Sequence, residues 1–340
     1  MPETKVLLVG PYPPPHGGIS VHVAGLEREL RDAGVPCRVL DLDPRQAPRP
    51  GVLTLRGGFD LVRIVRAHAR AGFSLHLHTN GHGFKSWLVA AACAVAGRRA
   101  PALVVTLHSG MLPAYVANAG PLVRAFVQCV ALAYSHIVCV NPAIRATLLV
   151  LGVPADRLLV RPAFLPATPP AGPPPPVLDT WMRAHTPVLA SALFFRPEYG
   201  VDLLLEAVDR LRAVYPRLGC VVMGSGDRRE AETIVEQRGL AEHVRFAGDL
   251  DHDDCLRVIA RSDAFVRPTR ADGDSISVRE ALALGVPTVA SAVGTRPDGV
   301  HLFPAGDVDA FVHAVAQVLA ARGTSHEQEE GADAPAVVLG

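Results

Sequence analysis

Residues 5–19 read KVLLVGPYPPPHGGI, and the alternation of strands and helices along the chain begins with this stretch. After Lys5 the first residues are apolar, which predicts a short buried strand. A loop of prolines and glycines follows. From Ile19 apolar residues recur at 21, 23, 26 and 30 with charged residues among them, which predicts an amphipathic helix ending at Gly34. Apolar residues return at 37–42 as a second strand, so the chain opens with a strand–helix–strand unit.

The same alternation of strand and helix continues along the chain. In the first half it predicts strands at 74–78, 102–108 and 136–140 and helices at 59–71, 87–95 and 122–134. A proline-rich stretch at 162–176 interrupts it, as is typical of a stiff linker. The alternation then restarts, with strands at 188–193, 218–223, 243–247, 264–266 and 287–290, and helices at 201–214, from 228, at 255–261, 275–284 and 308–321.

The predicted strands are nearly continuous apolar runs, which is typical of parallel sheets covered by helices on both faces. The sequence therefore predicts an α/β protein with two doubly wound, Rossmann-like parallel-sheet domains that face a central cleft. The predicted boundaries are 1–165 for the N-terminal domain, 166–186 for the Pro-rich linker, 187–322 for the C-terminal domain and 323–340 for an acidic flexible tail.

Charge is distributed unevenly between the two halves of this 340-residue chain, although its net charge is zero. Residues 1–165 hold 17 Lys/Arg against 8 Asp/Glu, a net of +9, and the remainder holds 16 against 25, a net of −9. Such asymmetry favours an anionic partner for the first half. Because no nucleic-acid motif accompanies it, we expect no nucleic acid but an acidic membrane surface or a lipid-phosphate acceptor. A chance spread of arginines over solvated helices is the alternative.

Cysteine usage and the N-terminus indicate the compartment. None of the six cysteines forms a CxxC pair, and most lie in apolar runs, so we expect buried reduced thiols without zinc or disulfides. The N-terminus lacks the long apolar region of a signal peptide, and the longest apolar stretch, at 87–96, is too short to span a bilayer. These features predict a cytoplasmic protein that can contact the inner face of the cell membrane.

The loop GPYPPPHGGI at 10–19 lies between the first strand and its helix. Glycines at a helix N-terminus let bare backbone N–H groups approach a phosphate, although a plain tight turn is the alternative. The loop is not GxGxxG, and the later GSGDRR at 224–229 has Arg229 at the third glycine. Both observations weigh against a dinucleotide site.

The stretch RPTRADGDSISVRE at 267–280 is the most informative, because it follows a buried strand and opens a helix. It places Asp272 in the loop and Glu280 inside the helix, where each carboxylate can accept hydrogen bonds from vicinal sugar hydroxyls. The helix N-terminus between them offers N–H groups to a diphosphate. An N-terminal charge bias with one salt-bridged Glu is the alternative. A metal-binding DxD at 272–274 is disfavoured by its place in the second domain, so no metal is predicted.

Seven segments together resemble retaining glycosyltransferase family 4, whose fold is GT-B, over residues 4–320. They are the Pro-Pro-x-Gly-Gly start after the first strand, TLHSG at 106–110, GVDLLLEA at 200–207, VVMGSG at 221–226, VRFAG at 244–248, D-x7-E at 272–280 in place of the family's E-x7-E, and ALALGVPTVAS at 281–291. The resemblance implies that the first domain holds the acceptor and the second binds a nucleotide sugar.

The resemblance also implies roles for individual residues. Glu280 would bind the donor ribose, Asp272 would hold hydroxyls of the transferred sugar, and His108 would lie near that sugar. A satisfied buried histidine is the alternative for His108. We interpret His76 and His78 as cleft-wall or core residues.

The remaining donor-binding residues are backbone contacts and one cation. By resemblance, Gly273, Asp274, Ser275 and Ile276 would meet the diphosphate and sugar, and Gly17 and Gly18 would close over the phosphates. The family usually clamps the diphosphate with an Arg and a Lys, but Phe194 and Tyr199 stand at those positions here. We expect Arg196 to substitute, with Arg267 and Arg270 as further candidates.

The implied activity is a retaining, metal-independent hexosyltransferase without a cofactor, whose nucleotide-diphosphate sugar is a co-substrate. The acceptor would be a glycan or lipid-linked molecule, in cell-surface polysaccharide biosynthesis. Three alternatives stay open: a sugar-nucleotide epimerase or phosphorylase of the same fold, a catalytically impaired nucleotide-sugar-binding partner subunit, and a Rossmann dehydrogenase. A pyridoxal phosphorylase is disfavoured because the chain has only two lysines, Lys5 and Lys85.

Overall fold

The computed structural model describes residues 4–43, 49, 51–163 and 170–332, with side chains as far as Arg322. Part of the predicted linker, 166–169, and the end of the predicted tail, 333–340, lie outside the described residues. The chain divides into two compact units: Met1–Pro166 with Ala271–Ile276, and Ala167–Arg270 with Ser277–Gly340.

The first unit is built on a seven-stranded parallel sheet. Its strands are β1 (Lys5–Gly10), β2 (Cys37–Asp41), β3 (Val52–Thr54), β4 (Phe73–Thr79), β5 (Leu103–Leu107), β6 (His136–Cys139) and β7 (Leu158–Val160). Its helices are α1 (Gly18–Asp32), α2 (Gly58–Arg70), α3 (Phe84–Ala96), α4 (Leu112–Asn118), α5 (Pro121–Leu132) and α6 (Pro142–Val150). The strand order is β3-β2-β1-β4-β5-β6-β7. Strands β2 and β3 lie on one side of β1 and β4 to β7 on the other, as in doubly wound sheets.

Buried apolar residues of the first unit fill the space between sheet and helices. Trp87 and Tyr134 are the largest side chains there, and both are about 1% exposed. Their polar atoms are satisfied, because Trp87 Nε1 donates to Gly81 O and Tyr134 OH donates to Ala90 O, each at 2.8 Å.

A six-stranded parallel sheet forms the second unit. Its strands are β8 (Val188–Ala192), β9 (Gly219–Met223), β10 (Val244–Gly248), β11 (Ala264–Arg267), β12 (Thr288–Ser291) and β13 (Val300–Phe303), in the order β10-β9-β8-β11-β12-β13. Its helices are α7 (Pro176–Arg183), α8 (Val201–Leu211), α9 (Arg229–Gln237), α10 (His252–Arg261), α11 (Ile276–Ala283) and α12 (Val308–Ala332). Two apolar clusters cover the sheet, one around Leu204 and Phe311 and the other around Phe265 and Val278.

The predicted fold class is confirmed, since each unit is a parallel, Rossmann-like sheet with helices. The elements β3, α4, α6, β7 and β13, which have three to nine residues each, were not predicted from the sequence. Within the predicted linker the chain forms α7, which starts at Pro176 because proline is well tolerated at the first position of a helix. The backbone of α12 stays helical to Ala332, beyond the predicted end at 321.

Two further expectations concern the cysteines and the membrane. All six cysteines are free, and Cys93, Cys139 and Cys220 are buried, whereas Cys129 is exposed. No helix within the described residues has the length and apolar character to cross a bilayer.

The strand register decides which loops meet. In the first unit β1 pairs with β4 and β4 with β5, so the residues after Gly10, Thr79 and Leu107 emerge at one edge of the sheet. In the second unit β11 lies between β8 and β12, and its carboxyl end leads through residues 268–275 into α11. These edges are where parallel sheets bind ligands.

Candidate functional site

The carboxyl edge of the first sheet carries a group of histidines. His78 Nδ1 lies 3.2 Å from His108 Nε2, and the neighbouring His76 Nε2 is 2.7 Å from Thr106 Oγ1. The ring of His22, on α1, packs 5.3 Å from the ring of His78 and 5.4 Å from that of His108. The structure therefore brings His108 into a cluster, where the sequence analysis treated each histidine alone.

Burial keeps these imidazoles neutral. It lowers the pKa of both His22 and His76 to about 4. Burial, reinforced by the neighbouring histidines, also holds the pKa values of His78 and His108 well below the ordinary range. At neutral pH the edge of the first sheet thus presents hydrogen-bonding groups without positive charge.

The glycine loop opens α1 as predicted, but its two glycines differ. Gly17 is the N-cap, and its N–H donates to Ser20 Oγ at 2.9 Å, so that donor is already used. A side chain at Gly18 would meet one described atom within 4 Å, Ile276 Cδ1 at 3.9 Å. Gly18 therefore leaves the open space that a phosphate approach requires.

Residues 271–276 cluster with the first unit, and their backbone lies against the loop after β5. A side chain at Gly273 would lie 2.5 Å from His108 O and 2.9 Å from Gly110 N, so only glycine fits this approach. Asn141 Nδ2 donates to Gly273 O at 3.3 Å, and Gly273 N–H donates to Asp272 Oδ1 at 3.0 Å. The predicted donor-binding loop is thus held beside His108 by backbone contacts.

The second predicted acid, Glu280, is buried in α11 with 6% of its surface exposed. Its Oε1 lies 2.6 Å from Nε2 of His252, at the start of α10. Burial, with help from the Glu280 carboxylate, raises the pKa of the nearby Cys255 thiol. The partner of Glu280 is thus a histidine 28 residues away in the sequence.

Two arginines lie beside Phe194 and Tyr199, the positions at which the family usually has Arg and Lys. The guanidinium of Arg196 lies 5.4 Å from the centre of the Phe194 ring, and that of Arg267 lies 5.0 Å from the centre of the Tyr199 ring. These are cation–π distances. Arg267 is 8% exposed and also donates to Ala192 O, whereas the Arg196 side chain is exposed and pairs with no carboxylate among the described residues.

Arg270 plays a different part. Its two terminal nitrogens bind both oxygens of Asp202, at 2.8 and 2.6 Å, and one of them also donates to Pro197 O at 3.0 Å. The Asp202 carboxylate neutralises the charge of Arg270 and occupies its terminal donors, so Arg270 is poorly suited to bind a diphosphate. Of the three arginines predicted as substitutes, Arg196 and Arg267 are therefore the better placed.

Sequence reasoning missed His22, His252 and Asn141. None belongs to a recognisable motif, and each becomes visible only through contacts made across many residues. For His22 one signal was present: it lies on the helix that starts at the glycine loop, and that helix packs beside β1 and β4.

Two family models match the chain. Residues 5–163 match the model described as glycosyl transferase 4-like domain, and residues 185–321 match the model described as glycosyl transferases group 1. The first match ends just before the predicted linker, and the second begins near the end of it.

Individual proteins are also similar to this chain. The GDP-mannose-dependent monoacylated alpha-(1-6)-phosphatidylinositol monomannoside mannosyltransferase of Corynebacterium glutamicum is 31% identical over 122 residues, which are 34% of this chain and 32% of the relative. The chain spans about a third to two fifths of the length of the first curated relatives it matches.

Solved structures share the fold over most of the chain. The sucrose-phosphate synthase of Thermosynechococcus elongatus aligns with a TM-score of 0.72 and 20% identity, covering 93% of this chain and 90% of that one. Anabaena HepE in complex with UDP-glucose aligns with a TM-score of 0.69 and 15% identity, covering 93% and 90%. At these identities the likeness concerns the fold.

Proposed function

The chain belongs to the glycosyl transferases group 1 family, and from that premise we propose that it transfers a sugar from a nucleotide-diphosphate sugar to a glycan or lipid-linked acceptor. Glu280 would hold the donor ribose, and Asp272 would hold hydroxyls of the transferred sugar. The amides at 273–276 and the open space at Gly18 would receive the diphosphate.

The observation that carries this proposal is the buried carboxylate of Glu280. A carboxylate with 6% exposure is costly to bury, so it is retained where a partner compensates for lost water. His252 supplies one such partner on Oε1. A ribose diol is the kind of ligand that a carboxylate binds with two hydrogen bonds.

The cations beside Phe194 and Tyr199 favour a protein that catalyses transfer over one that only binds the nucleotide sugar. Negative charge develops on the diphosphate as the glycosidic bond breaks, and a positive group placed there lowers the barrier. Arg196 and Arg267 would supply it, each held over an aromatic ring. We therefore favour an active transferase over an impaired partner subunit, and we expect Arg196→Gln to lower kcat about 100-fold with a smaller change in KM.

We further propose that transfer retains the anomeric configuration and needs no metal. The bond between the anomeric carbon and the diphosphate oxygen would break as the acceptor oxygen attacks from the same face. The acceptor proton would pass to the leaving diphosphate, and the two bound substrates would be held in line by the protein. Proton NMR of the new glycosidic linkage, with and without EDTA during the reaction, tests both statements.

A donor panel tests the central proposal. Binding and slow hydrolysis of UDP-, GDP-, TDP- and ADP-sugars would be measured for the wild type, Glu280→Gln and a control, Glu236→Gln, which changes an exposed acid in the same unit. The panel includes both donor types named above, GDP-mannose and UDP-glucose. We expect one donor to be bound and consumed, with a loss in Glu280→Gln only. Equal binding and turnover in Glu280→Gln would contradict the assigned site.

We also propose that an acidic membrane surface carries the acceptor, at the inner face of the cell membrane, in cell-surface polysaccharide biosynthesis. The support is a cleft between α2 and α3 in the first unit. Four arginines line this arginine cleft, which has a volume of about 320 Å³: Arg66, Arg70, Arg98 and Arg99. No carboxylate among the described residues pairs with them.

Two exposed apolar side chains lie in the lining of the arginine cleft. Val62 and Val95 line it with 40% and 73% of their surfaces exposed, and Phe59 on α2 is 96% exposed. Basic groups beside exposed apolar groups are the composition of surfaces that settle on anionic bilayers. The phosphatidylinositol-based acceptor named for the Corynebacterium relative agrees with a membrane-borne substrate.

Vesicle sedimentation tests the membrane proposal. Because each basic residue near an anionic surface contributes about 1 kcal/mol, Arg66→Gln with Arg98→Gln should weaken binding to phosphatidylglycerol vesicles about 30-fold. The matched control, Arg28→Gln with Arg38→Gln, removes two exposed arginines elsewhere in the first unit. Binding that is equal on neutral phosphatidylcholine vesicles, or unaffected by 0.5 M salt, would count against the proposal.

A further inference from the structure

We propose that His22, His78 and His108 form a binding site for a divalent first-row transition-metal ion, with zinc as the reference metal. One nitrogen from each ring can be chosen so that all three lie within 4.8 Å of one another. All three histidines belong to the first unit, so the site is complete within it.

The spacing of the rings fits metal coordination. A tetrahedral zinc ion with Zn–N bonds of about 2.0–2.1 Å holds its ligand nitrogens about 3.3–3.4 Å apart. His78 Nδ1 and His108 Nε2, which share a hydrogen bond in this structure, are already 3.2 Å apart. His22 is less buried than His78, so rotation of its ring can bring the third nitrogen into place.

An unsatisfied polar atom points to a ligand at this position. Nδ1 of His22 is buried and makes no hydrogen bond to any described residue. His78 itself has no exposed surface. Because buried polar atoms normally find a partner, the orphaned Nδ1 of His22 calls for a group that the protein does not supply.

The surroundings hold the rings as metal ligands are usually held. His78 packs against His76 with ring centres 4.2 Å apart. His76 is in turn fixed by Thr106 at 2.7 Å. Such outer contacts orient ligating imidazoles.

The donor set selects the metal. Three imidazole nitrogens without a carboxylate suit Zn²⁺, Co²⁺, Ni²⁺ or Cu²⁺, whereas Mg²⁺ and Ca²⁺ prefer oxygen ligands. Three protein ligands leave a fourth position for water or another small ligand. The site is unrelated to the DxD-like residues 272–274, and no step of sugar transfer is assigned to the ion.

The ion would join three elements of the first unit. His22 lies on α1, His78 is in β4, and His108 directly follows β5. Binding to the folded state alone stabilises it, so zinc at 100 times its Kd should raise the melting temperature of the first unit by about 5–10 °C.

Cobalt titration tests the proposal directly. The full chain, carrying no histidine tag, would be titrated with Co²⁺ while visible absorption is recorded, because four-coordinate cobalt absorbs strongly there. We expect one ion per chain, displaced by Zn²⁺, with Co²⁺ binding weakened at least 30-fold in His22→Gln and in His78→Gln. His136→Gln, which changes an exposed histidine of the same unit, should bind like the wild type.

Two results would overturn the site. One is the absence of cobalt absorption in a wild-type chain that shows cooperative melting. The other is wild-type binding in His22→Gln, whose half-buried side chain is replaced with less risk to folding than that of His78. Both readouts are independent of sugar transfer, so the failure of the proposed activity would leave them interpretable.

Discussion

Substitution of Gly200 tests how tightly the second unit is packed where Gly200 meets the backbone of Pro268. It is the N-cap of α8 and has φ of +68°, in the left-handed region that side chains rarely adopt. A β-carbon there would overlap the carbonyl oxygen of Pro268 and lie 3.1 Å from its carbonyl carbon. Both obstacles are backbone, which cannot rotate away.

The cost of Gly200→Ala follows from these two terms. The left-handed conformation costs an alanine about 1–2 kcal/mol, and forcing the Pro268 backbone to move costs about 1–3 kcal/mol more. The matched control is Gly285→Ala. Gly285 has a similar φ of +72°, but a β-carbon there would meet nothing within 4 Å. Gly200→Ala should therefore be less stable than Gly285→Ala by about 1–3 kcal/mol.

Urea unfolding followed by tryptophan fluorescence measures this difference. The chain has two tryptophans, Trp87 in the first unit and Trp181 in the second. In a Trp87→Phe background the signal comes from Trp181 alone and reports the second unit, which contains both glycines. Equal midpoints for the two variants, with equal slopes, would mean that the Pro268 backbone yields freely and that the packing argument is wrong.

Two further predictions follow from the charges and thiols. Asp202→Asn should cost about 0.5–1 kcal/mol at pH 7, because the pair with Arg270 is partly exposed. The hydrogen bond from Arg270 lowers the pKa of Asp202 below 3.8, so the wild type loses this advantage as the pH falls below 3.8, and urea midpoints of the two proteins should converge there. In native chain at pH 8, Cys129 should react first with a thiol reagent, because it is exposed, whereas burial raises the pKa of Cys93 and Cys220 to about 12. Rapid labelling of Cys93 or Cys220 before unfolding, read by peptide mass spectrometry, would contradict their burial.

Local pattern was enough to predict most of the regular structure. The predicted strands at 74–78 and 218–223 and the amphipathic helix at 201–214 correspond to β4, β9 and α8, because apolar runs and helical spacing are local signals. The elements that were missed are short ones such as β3 and β7, which are stabilised as edge strands by pairing with a neighbour more than by a pattern of their own.

The parts of the candidate site that lie in a sequence motif were predictable. The parts that depend on contacts between distant residues were not. The stretch 267–280 was identified from its place after a strand and at a helix start, and the structure has it so. The pairing of Glu280 with His252 was not predictable, because the two are 28 residues apart on different helices. The same holds for Arg267, whose cation–π contact with Tyr199 depends on β11 lying next to β8.

The sequence by itself determined the class of fold, the family and the segment that holds the two acids, because periodicity and motif spacing are local properties. Tertiary structure alone decided the convergence of His22, His78 and His108, which come from α1, β4 and the residue after β5. The physical reason is strand order: β1 pairs with β4 and β4 with β5, although β2 and β3 intervene in sequence. Side chains distant along the chain thereby meet at one sheet edge.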